Sequence, residues 1–244
     1  MDDAPLKVAE VGPFFALRTD PATGEPREQG YALIGEAYRL TREGAASPLL
    51  RARVETVAAN LRTDEPRVAA SLAFQGLAAR MWSLALGQAA LSGQVSRLRS
   101  DRLWWHPGRA APDDLWWPGV PSVMGEPAGL AGQVGDAAYT HLLPLHAAVT
   151  RAYRVPERLL WGNAASALVG SLRVLHDWCR ARGLPKAAER ATELARAQLA
   201  HPPLRDTGTL TSAPPAFRRH SCCLYYRVPG GGLCGDCVLR RAPG

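Results

Sequence analysis

Residues 156–183, PERLLWGNAASALVGSLRVLHDWCRARG, determine the class of fold. A proline opens this stretch and a glycine closes it, as is common at the two ends of a helix. Between them, apolar side chains recur every three or four residues along one side. These side chains belong to Trp161, Ala165, Leu168, Leu172, Leu175 and Cys179. The pattern predicts one long helix with a single buried face.

Helical patterns continue on both sides of this stretch. Pro185 begins a further helix directly after the glycine, and that helix is predicted to run to His201. Residues 136–155 are also predicted to be helical, with Pro144 as a kink or a break.

Two earlier helices are predicted to pack together. One begins at Ser47-Pro48, and the other begins after Thr63-Asp64-Glu65-Pro66. Their apolar residues, from Leu50 to Leu61 and from Ala70 to Leu84, recur at helical spacing, and the second set forms a stripe about one face wide. The chain is therefore predicted to be mainly α.

A short β-hairpin is predicted between the two helical groups. Leu98–Trp105 and Leu115–Pro118 flank the turn-rich HPGRAAPDD and contain two tryptophan pairs. Such pairs can line a ligand pocket, but an aromatic plug that closes the helical core is favoured. Residues 202–216 are rich in Pro, Thr and Ser without apolar periodicity, which predicts a linker.

Composition limits the class of protein. The 244 residues can bury a substantial core, and five cysteines are far fewer than a secreted disulfide scaffold contains. The first residues, MDDAPLKVAE, lack the pattern of a signal peptide. The most apolar stretch, 159–172, is shorter than the ~20 residues that a membrane span needs. We therefore expect a cytoplasmic protein.

The net charge of +7 comes mainly from arginine, so nucleic acid, an anionic membrane and an acidic protein are conceivable partners. Most arginines are dispersed along predicted helices, where solvated positions are favoured. The C-terminal end alone is enriched, and Asp236 is the sole acid expected near it. This basic cluster comprises Arg218, Arg219, Arg227, Arg240 and Arg241, together with His220.

Four of the five cysteines fall at the C-terminal end, as Cys222-Cys223, ten residues, Cys234, two residues and Cys237. Disulfides are unusual in a reducing cytosol. A zinc site usually draws its ligands from two C-x2-4-C knuckles, whereas here Cys234–Cys237 alone has that form. Adjacent cysteines diverge along an extended chain, so they reach a broad iron–sulfur cluster more readily than a single ion. The spacing favours a cluster.

The segment CCLYYRVPGGGLCGDCVL, residues 222–239, resembles the C-terminal motif of FhuF-type ferric siderophore reductases. Residues 160–165 and the helix containing Arg67, Ala70 and Ser71 are similar to weaker segments of that family. The resemblance implies that a [2Fe-2S] cluster is held by Cys222, Cys223, Cys234 and Cys237. Val238 stands where the family often has proline.

The function implied by this resemblance is one-electron reduction of an iron(III) siderophore, favoured to be a hydroxamate, followed by release of iron(II). The partners it implies are that siderophore and an external electron donor such as a ferredoxin, without nucleic acid. Peripheral membrane association stays open. The alternatives are an iron–sulfur redox or iron sensor and a zinc-stabilised nucleic-acid-binding module.

Two domains follow from this interpretation. Residues 1–205 form the helical body, with the tryptophan hairpin as a candidate siderophore-binding surface. Residues 206–244 comprise the linker and the cluster-binding segment. His141 and His146 are five residues apart, one more than a shared helical metal face allows, so structural roles are expected for both. Cys179 is expected to be a small buried residue.

Overall fold

The computed structural model describes residues 8–21, 24–124, 129–212, 214–239 and 241 of the chain. Within these residues five α-helices form the body of the protein, which confirms the predicted mainly α fold. The helices are α1 (Pro48–Leu61), α2 (Pro66–Ser92), α3 (Gly129–Tyr153), α4 (Glu157–Ala181) and α5 (Pro185–Ala200). None of these helices is long and apolar enough to cross a bilayer.

Local signals set several helix boundaries where the sequence predicts them. The Ser47 hydroxyl accepts a hydrogen bond from the Leu50 N–H at 3.2 Å and caps α1. Gly183 follows α4 with a φ of 68°, in the left-handed region that favours glycine, and Pro185 begins α5. Helix α3 continues through Pro144, so the break considered at this proline does not occur.

Helix α2 is the central helix and packs against the other four. Its buried residues lie on several sides, and they include Arg80, Trp82 and Ser83. The prediction of a single buried face is therefore wrong for α2. Alanines such as Ala69 and Ala78, both fully buried, allow neighbouring helices to approach outside the predicted stripe. A helix without an extended polar face is buried all round.

The predicted tryptophan hairpin is present. Strand β2 (Trp104–Trp105) pairs antiparallel with β3 (Leu115–Trp116), and an unpredicted strand β1 (Ala32–Leu33) pairs with the other edge of β2. Trp105, Trp116 and Trp117 are at most 3% exposed, so they plug the core and do not offer an open binding surface.

The two candidate histidines are structural, as expected. His141 is fully buried on α3, between the Tyr38 hydroxyl at 2.7 Å and the Leu98 carbonyl at 2.6 Å. Burial lowers the pKa of His141 to about 4, so the ring is neutral near pH 7. His146 stacks on Trp161 with ring centroids 4.4 Å apart. Cys179 is fully buried on α4, which confirms its prediction.

A second hairpin leads into the cysteine-rich segment. Strand β4 (Gly208–Ser212) pairs antiparallel with β5 (Pro215–Arg219), and Leu210 lies opposite Phe217. The linker predicted over 202–216 is therefore wrong for its second half, because a five-residue strand is too short for its alternation to be evident in the sequence. Strand β5 packs against α4 and alternates buried and exposed residues, ending at the buried Arg219.

Candidate metal centre

The C-terminal cysteines lie in loops directly after β5. Cys222 and Cys223 follow the strand, and a turn at the far end of the segment contains Cys234 and Cys237, joined by a hydrogen bond from the Cys237 N–H to the Cys234 carbonyl at 3.1 Å. All four are free thiols. Cys223 is 2% exposed and the other three are partly exposed. A centre held by these thiols would lie just below the protein surface.

Two of the four thiols contact each other. The Cys234 thiol donates a hydrogen bond to the sulfur of Cys223, which lowers the pKa of Cys223 and raises that of Cys234. Cys222 and Cys237 accept hydrogen bonds on sulfur from the N–H groups of Leu224 and Leu239, at 3.3 and 3.4 Å. Within the described part of the chain, no three His, Cys, Asp or Glu side chains are grouped as a single metal ion would require.

A buried cation lies near these thiols. The side chain of Arg219 is on the inner face of β5, and the residue is 1% exposed. Burial lowers the pKa of its guanidinium, and the neighbouring thiols act in the opposite direction. In decreasing order of effect, these thiols belong to Cys223, Cys234 and Cys222. Arginine stays protonated, so its positive charge faces the thiols.

The guanidinium of Arg219 has unused hydrogen-bonding capacity. Its Nη2 donates to the Asn163 Oδ1 at 2.6 Å and to the Leu159 carbonyl at 3.3 Å. Its Nε and Nη1 are buried and have no hydrogen-bond partner among the described residues. A buried charge with free donors is costly unless an anion lies beside it. A cation with free donors near three of the four thiols fits a [2Fe-2S] cluster, whose thiolate-bound form is negative.

A hydrogen-bond network connects the cysteine segment to the helical body. The Ser71 hydroxyl, on α2, donates to the carbonyl of Cys223 at 2.9 Å. Asn163, on α4, donates through Nδ2 to both the carbonyl and the hydroxyl oxygen of Ser71 at 2.8 Å, and accepts from Arg219. Ser71 and Asn163 belong to the two upstream segments that resemble the family. Their role in positioning Cys223 could not be deduced from the cysteine pattern.

The Cys234–Cys237 turn is anchored separately to α4. Asp236, in the middle of the turn, is 5% exposed and accepts hydrogen bonds from the Ser166 hydroxyl and from Arg173 Nη1, the latter at 2.7 Å. Its carbonyl accepts from the Arg219 N–H at 3.0 Å. The sequence predicts Asp236 to be an acid near the C-terminal arginines. In the structure its carboxylate instead binds two residues of α4.

The described arginines of the predicted C-terminal basic cluster differ in their exposure and in their partners. Arg227 forms a two-point ion pair with Glu65, at 2.7 and 3.0 Å, so the expectation of a single nearby acid is wrong. Arg219 is buried. Arg218 and Arg241 are exposed, and Arg240 lies outside the described residues. Chain folding brings Glu65, which is distant in sequence, next to the C-terminal segment.

Gly162 gives a test of how closely the cysteine segment packs on α4. A Cβ at this position would lie 2.2 Å from Ser221 Oγ and 3.0 Å from Arg219 Nη2. A Cβ at Gly170 on the same helix would contact Arg173 Nη2 alone, at 3.9 Å. We expect Gly162→Ala to lower the free energy of unfolding by about 1–2 kcal/mol. Gly170→Ala should raise it by up to about 1 kcal/mol through helix propensity.

Denaturant unfolding of the two variants measures this difference. Because Ser221 Oγ is the nearest atom, adding Ser221→Ala to Gly162→Ala should recover part of the loss. Equal stabilities of Gly162→Ala and Gly170→Ala would show that the segment does not pack on α4 as described.

The helical body holds a cysteine-rich loop near a buried arginine, and the family match of this loop identifies the chain as an iron–sulfur protein. Residues 219–239 match the family model of the FhuF 2Fe-2S C-terminal domain, which confirms the resemblance drawn from the cysteine spacing. The cofactor is accordingly a [2Fe-2S] cluster, and the chain is similar to the ferric siderophore reductases through this segment. No curated protein matches the chain significantly.

Proposed function

We propose that this protein is a cytoplasmic ferric siderophore reductase, with residues 1–205 as its helical body and residues 206–244 as its cluster-binding segment. The ligands of the [2Fe-2S] cluster are then Cys222, Cys223, Cys234 and Cys237. The observation that carries this proposal is the match of residues 219–239 to the FhuF 2Fe-2S C-terminal domain, and the buried Arg219, with free donors near the thiols, is consistent with a negative cluster there. The cluster, when bound, accepts and donates one electron at a time.

The reaction balances without a change in the covalent bonds of the chelator. A reduced donor protein, such as a ferredoxin, loses one electron, and the iron(III) of the chelate gains it and becomes iron(II). Hydroxamate oxygens are hard ligands that hold the more highly charged ion more tightly, so reduction weakens the chelate and iron(II) leaves. Protons from water then replace the metal on the chelator.

The surroundings of the cysteines support electron transfer across a surface. Three of the four thiols are partly exposed, so a donor protein or a chelate can approach closely. Ser71, supported by Asn163, holds the first cysteine pair on α2, and Asp236 holds the second on α4, so both pairs are fixed to the helical body. A fixed site limits the rearrangement that accompanies each electron.

A single-turnover experiment tests this function. The holoprotein is reduced without oxygen, freed of reductant, and mixed with a ferric trihydroxamate and a colorimetric iron(II) trap. We expect the reduced spectrum to disappear as about one iron(II) per cluster is trapped. Apoprotein treated in the same way is the control. A cluster that stays reduced in the presence of the chelate would overturn the reductase and favour the sensor alternative.

A further inference from the structure

A cleft of about 450 Å³ lies directly beside the Cys234 turn. Its walls come from the N-terminal segment 11–15, from α2 and α4, and from residues 234–236. Arg80 fixes the N-terminal wall by donating to the carbonyls of Pro13 at 3.0 Å and Ala16 at 2.8 Å, and is itself paired with Asp114. The volume is within the range of small-molecule sites.

Apart from Cys234, the lining of this cleft carries no net charge. Its charged side chains among the described residues are Arg173 and Asp236, which pair at 2.7 Å. The hydroxyls of Ser83 and Ser171 bond to each other at 2.8 Å. The cleft therefore lacks an unpaired cation that would attract a strongly anionic ligand.

Apolar groups exposed to solvent line much of the remaining surface. Phe14 is 43% exposed and Val174 is 49% exposed, and both contribute to the cleft. Gln75 also lines it, and its Oε1 has no hydrogen-bond partner within the described residues. That oxygen is itself buried, so the contacts open to a ligand are the two hydrophobic side chains, which an uncharged ligand would remove from water.

We propose that this cleft binds the ferric chelate, as an electroneutral trihydroxamate, beside Cys234. Three hydroxamates, each with one negative charge, neutralise iron(III), so the complex matches the uncharged lining. A tris-catecholate complex carries three negative charges and would meet the negative cluster without a free cation to compensate. This inference rests on the proposed function, because Cys234 matters here as a ligand of the cluster.

Binding can be measured separately from reduction with gallium(III), which has the charge of iron(III) but does not accept an electron under these conditions. Calorimetry with holoprotein and a gallium trihydroxamate gives the dissociation constant. Gly170→Leu fills the cleft, because a side chain there enters nearly open space on α4. We expect it to weaken binding at least about tenfold, which corresponds to about 1.4 kcal/mol.

Gly76→Leu on α2 is the matched control. A Cβ at Gly76 also meets one arginine nitrogen at 3.9 Å, and this residue is outside the cleft lining. Binding by this variant should stay within about twofold of the unmodified protein. Phe14 lies in the N-terminal wall of the cleft, and Gly170 lies in the α4 wall. Phe14→Ala should weaken binding by about three- to tenfold through lost apolar contact. The visible spectrum of each variant verifies that the cluster is present.

The outcomes separate the cleft from the reductase function. Unchanged gallium chelate binding in Gly170→Leu and Phe14→Ala would overturn the cleft, even if the protein reduces iron(III). Equal affinity for gallium tris-catecholate would overturn the charge argument. If the cleft variants lose binding as expected but the unmodified protein reduces no ferric chelate, the binding site stands and the proposed reductase function is wrong.

Discussion

Cys223→Ser protein is expected to fold and to contain almost no cluster. Cys223 is the most buried of the four C-terminal cysteines, and its carbonyl and thiol both have partners, in Ser71 and Cys234. A serine hydroxyl is less readily ionised than a cysteine thiol, and its oxygen is a harder ligand than sulfur. Loss of a residue that only supports a metal ligand already weakens binding 10–100-fold, so iron and sulfide should fall below about a tenth of the unmodified content.

Cys179→Ala is the matched control for that variant. Cys179 is also a buried free cysteine, but it packs in the hydrophobic core on α4. Its replacement should cost some stability, on the order of 1 kcal/mol, and leave the iron and sulfide per chain unchanged. Iron and sulfide analysis of anaerobically prepared protein measures the cluster content of both variants. A full cluster in Cys223→Ser, or equal losses in both variants, would contradict the proposed ligand set.

The fold could be predicted from sequence wherever local signals were strong. Proline and glycine at the ends of α4 and α5 act within a few residues, so the sequence contains the information that sets those boundaries. Burial of α2 on several sides depends on which helices surround it. That arrangement is tertiary, and small residues such as Ala69 are compatible with either a surface or a core position.

The cysteine-rich segment of the candidate site could be recognised from the sequence, whereas its surroundings could not. The cysteine spacing and the residues between the cysteines indicated the segment that matches the 2Fe-2S domain. Ser71 and Asn163 are 92 positions apart, and a single sequence does not show which distant residues will be in contact. Likewise, five arginines near the C-terminus look alike in the sequence, whereas the alternation of β5 places Arg219 inside and Arg218 outside.

The inward position of Arg219 predicts a large effect of this residue on the reduction potential of the cluster. We expect Arg219→Met to lower the reduction potential of the cluster by on the order of 100 mV. A cation stabilises the more negative reduced cluster, so its removal disfavours reduction. Two unit charges about 4 Å apart interact by roughly 4 kcal/mol at an effective dielectric constant of about 20, and less at greater separation. About 1.4 kcal/mol corresponds to about 59 mV for one electron.

Arg218→Met and Arg219→Lys complete the test. Arg218 is adjacent in sequence and exposed on the other face of β5, where solvent and salt screen its charge, so its loss should shift the potential by only a small fraction of that amount. Arg219→Lys keeps the charge but gives up the fixed geometry of the bond to Asn163, so it should retain most of the potential and lose stability. A redox titration followed by visible absorption reads all three variants.

The direction of the Arg219→Met shift also bears on function. A lower potential gives the reduced cluster more driving force toward tightly chelated iron(III), so reduced Arg219→Met should release iron(II) faster in the single-turnover assay. The same variant should be harder for a given donor to reduce, which opposes the gain during continuous turnover. If instead the potential is unchanged in an intact Arg219→Met cluster, the buried guanidinium serves only to pack β5 on α4.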